Sequence, residues 1–300
     1  MLTPREIIAQ SWAITTTSAP LRRWGFFGSL FEILLDVKLL VYQVYFVYSY
    51  FKGEGGGLFD IEIFLYHAIP PIAFWTLIAL FLVLVVVELF VPSLAGGAII
   101  GLSAKAHNKE PQTGGIVLAL YNFFPILAVH ELFVFSSLSI LITSISIILR
   151  YAGGLAYPLL AVAIIIWTIS NILRFFSSFT ESGIVVEKLG VFESGAKSVK
   201  LIFGYMPHVM FLFLLLWVIM IRILINTLII TLVPIMIMAT GIGLTYIASP
   251  ATSFFIAGII GFVLTIVAAY FFAYLHVFKQ TVWTVMYMEL IKEKELDKIG

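Results

Sequence analysis

The chain has 300 residues, of which 62% are hydrophobic and only 11% charged, and its formal net charge is +1. A soluble domain carries about 25% charged residues, so a water-facing globule is excluded, and near-neutrality without a basic stripe excludes a nucleic-acid partner. With no cysteine, disulfides, thiolate metal sites and cysteine nucleophiles are excluded too. The surplus apolar surface predicts an all-α, polytopic integral membrane protein with lipid as its solvent.

The opening stretch, MLTPREIIAQSWAITTT, has no continuous apolar core and no small-residue cleavage site, so the first membrane helix is expected to do the targeting. A helix needs roughly 20 apolar residues to cross the hydrocarbon core, and six segments qualify. The first, Trp24–Phe51, contains Glu32, Asp36 and Lys38. The second, Ile72–Leu102, contains Glu88, Pro92 and a Gly97-x-x-x-Gly101 pair that permits close helix approach or occurs by chance. The third, Ile126–Arg150, begins with His130 and Glu131 and is rich in Ser and Thr, which the spacing spreads around the helix. The fourth is Leu155–Phe176. The fifth, His208–Met238, contains Arg222 and Pro234, and the sixth is Phe254–Phe278. Pro92 and Pro234 are candidate kinks. Between spans, KGEGGGLFD, RYAGGLAYP and TGIGLTYIASP read as breakers.

Basic residues set the expected orientation. Arg5, Arg22, Arg23, Lys105, Lys109, Arg174, Lys188, Lys197, Lys200, Lys279, Lys292, Lys294 and Lys298 fall on one side, against Lys52 and Arg150 on the other. The positive-inside rule then puts both termini in the cytoplasm of a cell-membrane protein. No loop is long enough for a folded soluble domain, so residues 1–300 form a single transmembrane domain.

The segments TGGIVLALYNFFPIL and GAKSVKLIFGYMPHV align without gaps at an offset of 82, placing Pro125 on Pro207, Tyr121 on Phe203 and, upstream, Gly101 on Gly183. The N-terminus follows the same plan around Pro20. This predicts three units of amphipathic helix plus helical hairpin, about 1–105, 106–190 and 191–300, although apolar sequences also match one another by chance. In the third unit Ala196, Val199, Phe203 and Met206 recur at helical spacing, with Lys197 and Lys200 off that stripe. Such a helix either lies among anionic lipid headgroups or is a connector packed under the bundle.

The six-helix plan, the segment VVEKLGVFESGAKSVKLIF with Glu187, Gly190, Glu193 and Ser198, and the opening AQSWAITTTSAPLRRWGFFG resemble the membrane domain associated with some bacterial glycerophosphoryl diester phosphodiesterases. The resemblance would cover most of the chain. It implies a non-catalytic membrane protein and transfers no catalytic residue, because that family's hydrolase is a separate soluble barrel for which this chain has no room.

The charges inside the spans are the candidate site. At 1.5 Å per residue, Asp36 lies about 18 Å from the end of its span, and Lys38, Glu88 and Arg222 about 21 Å from theirs, forming one layer. Glu32, His130 and Glu131 lie shallower. Glu32 and Asp36 share a helix face, whereas Lys38 sits about 200° round and must seek an acid on another helix. The preferred pair is Arg222 with Glu88 or Asp36. Such a layer reads either as interhelical ion pairs that fix which helices pack, or as a proton or ion path.

Enzyme signatures are absent. VHELF lacks the second histidine of a zinc protease, GEGGGLFD lacks the Lys-Ser ending of a phosphate loop, and no Gly-x-Ser-x-Gly elbow occurs. No catalytic, cofactor or metal site is predicted, and His67, His208 and His276 read as ordinary interfacial histidines. The expected function is a non-enzymatic scaffold or accessory protein for lipid handling or envelope assembly. The alternative is a small transporter or channel using the charge layer. Expected partners are the bilayer, anionic headgroups, and a protein partner or second copy of the chain.

Overall fold

The computed structural model describes residues 2–52, 57 and 59–296, with the backbone alone at 50, 220–231, 233, 234, 295 and 296. The described residues are helical, with no strand. Twelve α-helices follow in order: α1 (Pro4–Thr17), α2 (Ala19–Phe51), α3 (Asp60–Ala68), α4 (Pro71–His107), α5 (Gly115–Tyr121), α6 (Phe123–Leu132), α7 (Leu138–Tyr151), α8 (Ala156–Phe176), α9 (Thr180–Glu187), α10 (Val191–Gly204), α11 (Met206–Leu244) and α12 (Pro250–Leu296).

By length and composition, Pro71–His107, Gly153–Glu187 and Pro250–Lys294 can each cross a membrane. Two further pairs qualify only if each is one bent span: α5 with α6, bent by 61°, and α10 with Met206–Ile219 of α11, bent by 95°. All six apolar segments fall on helix, but the third is not continuous. It is interrupted between α6 and α7 by a 3₁₀ turn, Val134–Ser136. Pro92 lies within an uninterrupted α4.

Local sequence explains where the helices begin. Thr3 caps α1 in a reciprocal capping box with Glu6, and Pro4 occupies the first turn, where its missing N–H costs nothing. Ile7, Ser11, Ile14 and Thr15 form the buried stripe of α1. A single residue, Ser18, separates α1 from α2 and accepts from the Leu21 amide at 3.3 Å. The same plan recurs twice: Asn122 precedes α6 with its Pro125, and Tyr205 precedes α11 with its Pro207.

The main core is off-centre and takes in only the ends of the apolar segments, such as Ile99, Leu102, Val209 and Val277. It gathers at the α1 end, where Ile7, Ile14, Ile99, Leu102, Phe179, Leu201 and Ile202 surround Val277–Leu290 of α12. At 47 residues, α12 is about 70 Å long, against about 30 Å for a bilayer core. The sixth segment was expected to stop at Phe278; instead the helix continues and its last turns become the hub of this base. Glycines bring the helices together there. A Cβ on Gly25 would meet Val277 at 2.2 Å, and one on Gly101 would meet Leu118 at 2.8 Å. Gly97 lies against the Leu118 carbonyl, at 3.3 Å from its Cβ position, so the Gly97-x-x-x-Gly101 pair seats α5.

Away from the base the surface is apolar. Ile164, Ile165, Ile169 and Ile172 of α8, Leu80, Leu82 and Val83 of α4, and Phe255, Ile259 and Phe262 of α12 are exposed. Patches of that extent are not left facing water. On α10 the packed face joins Leu201 and Ile202 to two serines: Ser194 donates to the Thr180 carbonyl at 2.6 Å and Ser198 to the Phe176 carbonyl at 2.8 Å. Of the stripe read from the sequence, Ala196, Val199 and Phe203 are exposed, while Met206 packs against the core. The helix therefore packs under the bundle and still presents most of its apolar stripe outward, so the two readings of it were not exclusive.

Candidate functional site

The interior charges fall into two groups set by the winding of α2. At 100° per residue, Glu32 and Asp36 share one face while Lys38 is on another. Lys38 forms an ion pair with Glu88 of α4. Glu88 is 1% exposed, and the Lys38 ammonium also lies 4.7 Å from the centre of the Phe81 ring. The expected pairing of Arg222 with Glu88 or Asp36 falls on a residue whose side chain is not described.

The other face of α2 borders a cavity of about 440 Å³ enclosed by α2, α6, α7, α8, α9, α11 and α12. Glu32, Asp36 and His130 all line it. Glu131 is exposed on α6 and does not. Asp36 accepts a hydrogen bond from Ser139 at 2.5 Å, and Ser139 is 2.7 Å from Ser137. Glu32 lies 3.6 Å from His276 Nδ1 and keeps nearly half of its side chain accessible, at 46%.

The break in the third segment forms part of the wall. Ser136 Oγ donates to the Phe133 carbonyl at 2.7 Å, a side-chain bond that competes with helix. From α8, Asn171 donates to the Ser136 carbonyl at 3.3 Å, and Arg174 Nη1 donates to Ser136 Oγ at 2.8 Å. The amides of Phe133, Ser136 and Ser137 keep short backbone bonds to His130, Phe133 and Val134, and the Ser136 carbonyl is answered from α8 by Asn171. Arg174 is fixed at the cavity by its contact with the Ser136 hydroxyl.

Sequence reasoning missed Asn171, Arg174, Glu181, His276, Lys279 and Gln280. Arg174 and Lys279 were counted only as orientation charges, and His276 as interfacial. All but His276 line the cavity, and His276 reaches it through Glu32. Lys279 has Arg174, Glu32 and Glu181 as charged neighbours, while Gln280 Nε2 donates to Glu181 at 2.9 Å. A signal existed: His276, Lys279, Gln280 and Trp283 recur at i, i+3, i+4 and i+7, one helix face. A second polar face runs along α7. Asp36 meets Ser139, Gln43 meets Thr143 at 3.4 Å, and Arg150 meets Ser146 at 2.9 Å and Gln43 at 3.3 Å. Of the hydroxyls on this segment, Ser139, Thr143 and Ser146 thus form, with Arg150, a stripe facing α2.

A second hollow adjoins the first and shares Phe133 and Ser177 with it. It measures about 390 Å³ and is walled by Leu132, Phe135, Ile166, Ile169 and Leu173. Among the described residues, no group of three His, Cys, Asp or Glu side chains is placed to hold a metal ion. No protein-family model matches the chain, and neither the curated proteins nor the solved structures contain a match.

Proposed function

We propose that the chain is a non-enzymatic multi-pass membrane protein that binds an amphiphile, with the polar part in the charged cavity and the apolar part along the adjoining groove. The observation that carries this reading is the shared wall: one hollow rich in charge and one almost purely apolar meet at Phe133 and Ser177. Both volumes fall within the range of about 300–1,000 Å³ that ligand pockets occupy. The broken α6–α7 segment supports it, since non-helical backbone at membrane depth is tolerated where it is buried in protein or lines a cavity.

In this reading the six apolar segments are spans, both termini are cytoplasmic, and the base formed by α1, α9, α10 and the end of α12 lies at the cytoplasmic surface of the cell membrane. The exposed stripe of α10 and the exposed Ile116, Val117, Leu120 and Tyr121 of α5 rest among headgroups. The threefold plan is supported by its three one-residue breaks before a proline-bearing helix, and by Gly101 and Gly183 admitting Leu118 and Ser194 from the short helices that follow them. The chain is then a membrane domain of the type its sequence resembles, serving lipid handling.

Lipid retained by the purified protein through detergent exchange tests the reading. Leu173→Trp and Ile169→Trp fill the groove and should each lower the retained lipid severalfold without unfolding the bundle. Equal retention in both variants and the parent would overturn it. The competing reading, a channel through the charge layer, predicts ion or proton flux in liposomes that Glu88→Gln abolishes. The Lys38–Glu88 pair, which is absent from the cavity wall, speaks against it.

A further inference from the structure

We infer that the cavity selects a zwitterionic headgroup, a phosphate ester joined to a primary ammonium. The inference rests on the amphiphile reading above and adds the chemistry of the polar part. Its wall carries both signs of charge: Arg174 and Lys279 against Glu32, Asp36 and Glu181. A purely anionic ligand would set its charge against three carboxylates, and a purely cationic one against a guanidinium and an ammonium. A ligand with both charges answers both sets in a site where neither is well served by water.

The cations lie near Glu32 and Glu181, whereas the charged neighbour of Asp36 among the described residues is Glu32. Ser136 fixes Arg174 through Nη1 at the edge of the hollow that Arg174 lines, with Lys279 as its neighbour on α12. Guanidinium and ammonium together are the donors a phosphate recruits. Two of the acids already have partners, since Glu181 accepts from Gln280 and Glu32 faces His276. Asp36 lies one helical turn beyond Glu32. One of its oxygens takes only the Ser139 hydroxyl, and no cationic side chain among the described residues is within ion-pairing distance. The phosphate therefore falls at Arg174 and Lys279, and the ammonium at Asp36 with Glu32 beside it. A primary ammonium donates hydrogen bonds to carboxylates; a trimethylated one cannot.

The test measures binding to the purified, delipidated full chain by native mass spectrometry and by Trp217 and Trp283 fluorescence. The probes are phosphatidylethanolamine, phosphatidylcholine, phosphatidylglycerol and free phosphoethanolamine. Phosphatidylethanolamine should bind about tenfold more tightly than the other two lipids. Asp36→Asn should erase that preference, whereas Lys279→Gln should weaken all three lipids alike. Equal binding of the three lipids to the parent chain overturns the headgroup inference and leaves the amphiphile reading standing. Absence of binding by any lipid overturns both. Free phosphoethanolamine binding as tightly as its lipid would keep the headgroup chemistry and overturn the lipid as its source.

Discussion

Two sites on α2, less than one turn apart, put charge inside an apolar bundle to opposite uses. Lys38 reaches α4, where the Glu88 carboxylate is buried and the ammonium lies against the Phe81 ring. Glu32 and Asp36 reach the other way, into a cavity with histidine, arginine, lysine and serine around it. A buried pair can only hold helices in register, because desolvation offsets much of its Coulombic gain and its worth lies in what happens when one partner is lost. Charges on an open wall can be answered by an incoming ligand instead. One helix serves both ends because successive residues point 100° apart.

The sharpest way to break this comparison is at the buried pair. Lys38→Met or Glu88→Leu alone strands a buried charge and should cost about 3–5 kcal/mol, seen as a lower unfolding temperature in detergent. The double variant should recover most of the loss, and simple additivity of the two losses would refute the clamp. On the cavity side the effects should be smaller. Arg174→Met removes one charge-assisted hydrogen bond to Ser136 and should cost about 1.5–3 kcal/mol while lowering retained lipid. Glu32→Gln should move stability by no more than about 0.5 kcal/mol, since its carboxylate keeps contact with the cavity. A loss as large as that of Glu88→Leu would erase the distinction between the sites.

The smallest effect lies outside the bundle, at the start of α1. The Thr3 amide, and then its hydroxyl, hold the exposed Glu6 carboxyl below the usual carboxylate range. Because the folded value lies below the unfolded one, this contribution is complete above the ordinary value of 4.5 and is lost as pH falls through the lowered value. Amide exchange in the first turn of α1 should quicken across that acid window and become pH-independent in Glu6→Gln, apart from the intrinsic exchange rate.

The legible part of this molecule was what periodicity and depth control. The apolar segments all became helix, the Glu32–Asp36 face and the divergence of Lys38 followed from helical winding, and Lys38 and Glu88 did lie at one level. Other features depend on partners distant in sequence. Ser136 and Ser137 look like any hydroxyls in an apolar run, and only Asn171 and Arg174, more than 30 residues on, turn them into a break. Arg174 and Lys279 were hidden by hydropathy, which ends a span at its first charges and so assigns them to the water side. The end of α12 was hidden in the same way. Its Val282–Leu290 stretch reads as a tail until α1, α4 and α10 are seen packed around it.

The tie between the first and last helices fixes an order of events during synthesis. The Leu2 amide donates to Glu289 at 2.9 Å, closing a loop of 287 residues, and Trp12 packs edge-on against Phe278. The surfaces that bury Ile7 and Ile14 include Val277–Leu290, which is synthesised long after them. Helix α1 therefore leaves the ribosome well before the partner that covers it. A nascent chain that carries α1 but not yet α12 keeps that part of the stripe uncovered, and its burial reports that the two helices have met.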